Sequence, residues 1–136
     1  MAVSLGAAQL MVNAGLEEAQ RRGAMVSIAV VDAAGYLIAS ARMDGALLHA
    51  TDLAQGKANA AVLYRRATSE FQWPSAPLEA TITRLGGRFI PAPGAVPIRQ
   101  GNQVIGAVGV AGSKSDDETI ASAAIEAYST TPSTGG

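Results

Sequence analysis

The sequence predicts a single α/β (α+β) domain in which helices cover an antiparallel sheet of about five strands. Its 136 residues suffice for one hydrophobic core. Two pairs of Val/Ile-rich segments are each joined by a short turn, Asp32–Gly35 in one pair and Gly101–Asn102 in the other, and tight turns of this kind join antiparallel strands. Segments with helical spacing separate and flank these pairs, so the predicted order is α-β-β-α-(α)-β-β-β-α.

Two long helices are expected in the first half of the chain. Ser4 is predicted to cap the first of them, and Gly23 is predicted to end it. The second is predicted over His49 to Arg66. It carries a narrow stripe of mostly small residues that lets a helix lie close against a sheet or another helix, namely Ala50, Leu53, Ala54, Ala58, Ala61 and Val62.

The second half of the chain predicts two further helices. A short one begins at Ser75 or Pro77 and ends at Gly86–Gly87. A last one begins at Ser115, which has capping-box spacing to Glu118. We therefore expect one domain over residues 1–128, and a disordered tail rich in Thr, Ser and Gly over residues 129–136.

Gly106 and Gly109 interrupt the last predicted strand. Glycine weakens a strand interior because it removes packing area, so its presence indicates that something approaches the backbone closely. Close packing of a helix or a subunit is one explanation, and contact with a flat ligand is the other. Phe89–Ile90 is predicted as an additional short strand.

The composition excludes several classes of function. The formal net charge is −1 with no block of basic residues, so nucleic-acid binding is not expected. The absence of cysteine excludes disulfides, a thiolate nucleophile and a Cys-ligated metal, and fits a cytoplasmic protein. Neither a signal peptide nor a segment of membrane-spanning length is recognisable. Because 49% of the residues are hydrophobic but only 4% are aromatic, part of the apolar surface is expected to contact another subunit.

The densest group of ionisable residues is formed by Arg42, Asp44, His49 and Lys57. His49 is the only histidine, and its unperturbed pKa lies near neutrality, which makes it the natural proton carrier or metal ligand. Arg42 and Lys57 are suited to binding a carboxylate, with His49 or Asp44 moving a proton. The alternative is a surface ion pair between Asp44 and one of the two cations.

For the other polar or aromatic residues, a role in the fold or in packing is the main expectation. Asp32 is expected to form a turn, because its side chain bonds locally to the backbone. Asp116 and Asp117 are expected to stabilise a helix start. Trp73, beside Pro74, is expected to line a pocket or a subunit contact.

Five motifs in this order resemble the GlcG/HbpS family, which also includes the C-terminal domain of PduO-type proteins. The resemblance covers about residues 5 to 128. It implies a profilin-like sandwich, self-association into dimers or larger assemblies and, in several members, haem binding. The motifs are Val30-Val31-Asp32-Ala-Ala-Gly35, Arg42-Met43-Asp44-Gly45-Ala46, Ala54-Gln-Gly-Lys57-Ala58, Pro97-Ile98-X-X-Gly101 and Val104-Ile105-Gly106-Ala-Val-Gly109-Val110.

The resemblance yields three hypotheses of function. The first is an oligomeric haem- or small-ligand-binding protein, with the ligand at a subunit boundary near the second helix and Gly106 and Gly109. His49 would be a metal ligand only if haem is bound, and no other cofactor is expected. The second is a cofactor-free lyase, isomerase or hydratase that acts on a small aromatic or carboxylic substrate through Arg42, Asp44, His49 and Lys57. The third is a structural assembly subunit.

Overall fold

Helices pack on both faces of one antiparallel sheet in the computed structural model, which describes residues 2–72 and 75–130. The sheet order is β2-β1-β4-β3, with every neighbouring pair antiparallel. The helices are α1 (Leu5–Arg21), α2 (Ala50–Tyr64), α3 (Ala76–Leu85) and α4 (Asp117–Thr130); the strands are β1 (Ser27–Asp32), β2 (Leu37–Arg42), β3 (Ala95–Gln100) and β4 (Gln103–Ala111).

The predicted fold class is confirmed, but the described part of the chain forms four strands where about five were expected. The difference lies at Phe89–Ile90. The Ile90 N–H donates to the carbonyl oxygen of Gly56 in α2, at 3.1 Å, and not to a strand. Phe89 is buried against Ala60 and Leu78. This segment therefore packs on α2 and forms the wall of a small second core.

One face of the sheet is covered by α1 and α4. Ser4 caps α1 as predicted, because its Oγ accepts a hydrogen bond from the Ala7 N–H at 3.1 Å. The main core lies between these two helices and the side chains that β1 and β4 direct toward them. Its most completely buried large residues include Met11, Ile28, Val30, Val108 and Ile120.

The opposite face is covered by α2, whose small residues pack on alanines of β1 and β4. At Gly109 the two backbones meet. A Cβ atom there would overlap the Ala54 carbonyl oxygen and lie 2.9 Å from the Ala58 nitrogen. At Gly106 a Cβ atom would overlap the Val31 carbonyl oxygen and lie 3.1 Å from a Val3 methyl group. Both glycines therefore face protein atoms within this chain.

The start of α4 differs from the predicted capping box. Ser113 Oγ donates to Asp117 Oδ1 at 2.6 Å, and the Asp116 N–H donates to Ser113 Oγ at 3.0 Å. Within the described ranges, Ser115 and Glu118 form no such pair. The helix continues through Thr130, so the tail predicted from residue 129 begins inside it, and residues 131–136 lie outside the described residues. Trp73 and Pro74 also lie outside them.

Replacing Gly109 with alanine should lower the free energy of unfolding by about 3 kcal/mol, because the new methyl group forces α2 away from the sheet. The matched control is Gly6→Ala in the first turn of α1. A Cβ atom there meets nothing closer than 4.0 Å, and alanine should raise stability by up to about 1 kcal/mol. Urea unfolding of both variants measures the difference. Equal stability of Gly109→Ala and the parent would show that α2 does not lie this close to β4.

Candidate functional site

His49 lies immediately before α2 with its side chain exposed. Its backbone is already helical (φ −80°, ψ −2°), and its carbonyl oxygen accepts the Leu53 N–H at 3.1 Å. The imidazole forms no capping hydrogen bond. Among the described residues, the fold therefore uses only the backbone of His49, and its ring nitrogens are left available to a ligand.

Exposed apolar side chains precede His49 directly. Leu47 is 60% exposed and Leu48 is 77% exposed. We call the segment Leu47–His49 the α2-entry surface. Leu47 also lines a shallow depression of about 380 Å³ together with Met25, Arg22 and Lys114. His49 thus follows two exposed leucines directly, and charged side chains of both signs, Arg22, Lys114 and Asp116, line the depression beside Leu47.

Arg42 and Asp44 lie on the connection that leads to this surface. Arg42 is the last residue of β2, opposite Ser27 in the β1–β2 register, and its side chain is exposed. Asp44 is exposed in the turn that follows. Within residues 2–72 and 75–130 neither forms an ion pair, so the alternative of a surface ion pair between Asp44 and Arg42 or Lys57 is not present.

Lys57, in contrast, is buried, with only 7% of its surface exposed. Its Nζ donates to the Val110 carbonyl oxygen at 3.1 Å and to Asp117 Oδ2 at 3.3 Å. Asp117 Oδ1 in turn accepts hydrogen bonds from both the hydroxyl and the N–H of Ser113. Gly94 leaves room for the pair, since a Cβ atom there would lie 3.0 Å from Lys57 Nζ. Lys57 therefore joins α2, β4 and α4.

The four predicted site residues do not share a pocket within one chain. Arg42 belongs to β2, which is one edge of the sheet. Lys57 points to Gly94, just before β3, which is the other edge. Lys57 thus projects from α2 toward that second edge of the sheet, away from β2. Arg42, Asp44 and His49 remain on the exposed side, and Lys57 is separated from them.

Sequence reasoning missed Asp117 as the partner of Lys57. The two residues are 60 positions apart, and the spacing of Asp117 after Ser113 indicates only a helix start. No local pattern identifies a pair formed between two helices on opposite faces of a sheet.

A larger cavity of about 510 Å³ lies at the other end of α2. It was not predicted from the sequence. Both hairpin turns border it, through Gly35 and Gln103, and so do Arg65 and Arg88. Asn59 also lines it. The Asn59 Nδ2 donates to the Arg88 carbonyl oxygen at 3.1 Å, whereas the buried Oδ1 accepts no hydrogen bond. An unpaired buried acceptor of this kind costs about 1–3 kcal/mol.

A surface ion-pair cluster lies at the C-terminal end of α1. Arg21 and Arg22 both donate to the Glu18 carboxylate at 2.7 Å, and these hydrogen bonds hold the pKa of Glu18 below its usual value. Among the described residues, no group of three or more His, Asp or Glu side chains could hold a metal ion. In the same part of the chain, no helix combines the length and apolar character needed to cross a membrane.

Comparison with known proteins agrees with the resemblance seen in the sequence. Residues 3–126 match the family described as haem degrading protein HbpS-like. The chain is 38% identical to GlcG of Escherichia coli K12 over 109 residues, which cover 76% of each protein. The crystal structure of Klebsiella pneumoniae ORFY superposes with a TM-score of 0.88 at 30% identity, covering 96% of this chain and 92% of that one. The crystal structure of a PduOC–haem complex superposes with a TM-score of 0.83 at 31% identity, covering 93% of this chain and 95% of that one.

Replacing Lys57 with methionine should lower the free energy of unfolding by about 3 kcal/mol, because Asp117 is left largely buried without its cation. Asp117→Asn removes the opposite charge. The double variant should lose less than the sum of the single losses, with a coupling of at least about 1 kcal/mol. Denaturant unfolding of the four proteins provides this cycle. Additive losses would show that Lys57 and Asp117 do not interact.

Proposed function

This chain belongs to the HbpS-like family of haem-degrading proteins, and on that premise we propose that it is an oligomeric haem-binding protein whose haem lies on the α2-entry surface. A neighbour of known structure, PduOC, was solved as a haem complex. The single observation that carries the proposal is the exposed His49 beside Leu47 and Leu48.

The residues at this surface fit the chemistry of haem. A neutral imidazole is a common axial ligand of haem iron, and the His49 ring is committed to no other interaction. Leu47 and Leu48 provide an apolar face for a porphyrin. Lys114, which forms no ion pair among the described residues, is placed at the nearby depression to bind a propionate. Arg22, by contrast, is already paired with Glu18 and Asp116.

Each residue then has a defined task. With haem bound, His49 would hold the iron, the two leucines would exclude water from the porphyrin, and Lys114 would neutralise a carboxylate. Bound haem itself supplies one-electron and oxygen chemistry. Nothing in these roles requires the buried pair of Lys57 and Asp117, which stabilises the domain.

A second copy of the chain would complete the site. A haem resting on an exposed surface has one face open to water, and Met25, which lines the same depression as Leu47, is another exposed apolar side chain at this end of the sheet. Apolar surface of this kind is typically buried on association. We therefore place the ligand at a subunit boundary, as the sequence predicts.

The enzyme hypothesis retains one specific support. Arg42, Asp44 and His49 are all exposed within eight residues, so an anion and a proton acceptor or donor could meet there. Lys57 cannot contribute without leaving Asp117. This alternative requires turnover without haem, which would be lost in Arg42→Ala while the protein stays folded.

Titration with haem should produce a saturable Soret band in the parent protein. His49→Ala should shift the band and weaken binding at least about tenfold, because the axial nitrogen is lost. The unfolding free energy should change by no more than about 0.5 kcal/mol, since the imidazole has no structural hydrogen bond. An unchanged band and affinity in His49→Ala would contradict this site.

Sedimentation equilibrium should give a mass of at least two chains of 13.8 kDa each. Leu48→Ser should weaken both association and haem binding, because it removes apolar area from the α2-entry surface. Leu5→Ser is the matched control, since Leu5 is also exposed but lies at the start of α1. Equal effects of the two serine variants would indicate that the surface has no special role.

A further inference from the structure

We propose a second binding site, in the cavity at the C-terminal end of α2, for a small organic carboxylate that carries an apolar group and a hydroxyl donor. The cavity has a volume of about 510 Å³, within the range of small-molecule sites. It lies at the end of the sheet that carries both hairpin turns, whereas His49 lies at the opposite end of α2. The proposal is therefore independent of haem binding at His49.

The charge of the cavity favours an anion. Arg65 and Arg88 line it, and no aspartate or glutamate does. Neither guanidinium forms an ion pair or a side-chain hydrogen bond within residues 2–72 and 75–130. Two free guanidinium groups beside a partly apolar cavity form a carboxylate-binding arrangement, because the planar fork of arginine matches the two oxygens of a carboxylate.

Arg65 adopts a backbone conformation that is energetically unfavourable for a residue with a side chain. It is the C-cap of α2 with φ 56° and ψ 39°, a left-handed conformation that glycine usually supplies at helix ends. Among the described residues it is the one non-glycine with positive φ. The conformation is held by Arg99, whose Nη2 donates to the Arg65 carbonyl oxygen at 2.6 Å. A ligand-binding role for the guanidinium explains why an arginine stands there.

Asn59 supplies the polar specificity. Its Nδ2 is fixed on the Arg88 carbonyl oxygen, so its orientation is set and Oδ1 is left as a buried acceptor without a donor. Gly35 covers this oxygen, since a Cβ atom there would lie 3.2 Å from it. A small movement of the turn that contains Gly35 opens Oδ1 to the cavity, where a ligand hydroxyl can donate to it.

The apolar part of the ligand follows from the remaining lining. Leu63, Leu85, Phe89 and Val104 border the cavity, and Phe89 is almost completely buried. A phenyl or branched aliphatic group fits this environment. Mandelate combines a phenyl ring, a carboxylate and a hydroxyl group, which makes it a suitable probe.

Calorimetric titration of the haem-free protein should show mandelate binding with a Kd of about 1 mM or below. Phenylacetate, which lacks the hydroxyl, should bind about fivefold more weakly. The uncharged 1-phenylethanol should show no saturable binding. Methyl NMR spectra should place the shifts at Leu63 and Val104, and not at Leu47 and Leu48.

Variants of adjacent arginines separate a specific contact from a general effect of charge. Arg65→Gln should weaken mandelate binding about tenfold, whereas Arg66→Gln, which makes the same change of charge outside the cavity lining, should stay within about twofold. Arg65→Gly should raise the Tm while also weakening binding, which a merely structural arginine would not do. No saturable binding of mandelate up to about 10 mM, or equal losses in Arg65→Gln and Arg66→Gln, would overturn the proposal.

Discussion

The structure depends on the close contact between α2 and β4 at Gly109. Only a residue without a side chain lets the Ala54 carbonyl oxygen lie against that strand. This contact sets the height of α2 above the sheet along its whole length. Lys57 can therefore reach the Val110 carbonyl oxygen, while His49 precedes the helix at one end and Arg65 caps it at the other.

The cost of burying a charge explains the surroundings of Lys57. A buried ammonium group requires a nearby anion and hydrogen-bond acceptors, and Asp117 and the Val110 carbonyl oxygen provide both. Asp117 is held in turn by Ser113. Exposed side chains do not require such partners, because water solvates them. This applies to Arg42, Asp44 and His49. Burial therefore separates Lys57, which has partners within the fold, from Arg42, Asp44 and His49, which are exposed.

Sequence patterns predicted the features of the fold that depend on residues close together in the chain. The Ser4 cap, the alanine stripe of α2 and the two hairpins were recognisable because each depends on residues a few positions apart. Three features were not recognisable for the opposite reason. Lys57 forms an ion pair with Asp117, which lies on a helix on the other face of the sheet. Phe89 packs on α2 and does not join the sheet. Arg65 adopts a left-handed conformation that a hydrogen bond from Arg99 holds. Each of these depends on contacts between residues distant in sequence, and the cavity beside Arg65 arises from the same contacts.

We propose that the two ends of α2 form separate sites, with haem at the His49 end. Methyl NMR of the protein loaded with ferric haem tests this most directly, with a diamagnetic zinc porphyrin as the reference. Haem at the His49 end predicts strong paramagnetic broadening of the Leu47 and Leu48 methyl signals, while those of Leu63 and Val104 keep their intensity. Broadening centred on Leu63 and Val104, or equal broadening at both ends, would contradict it.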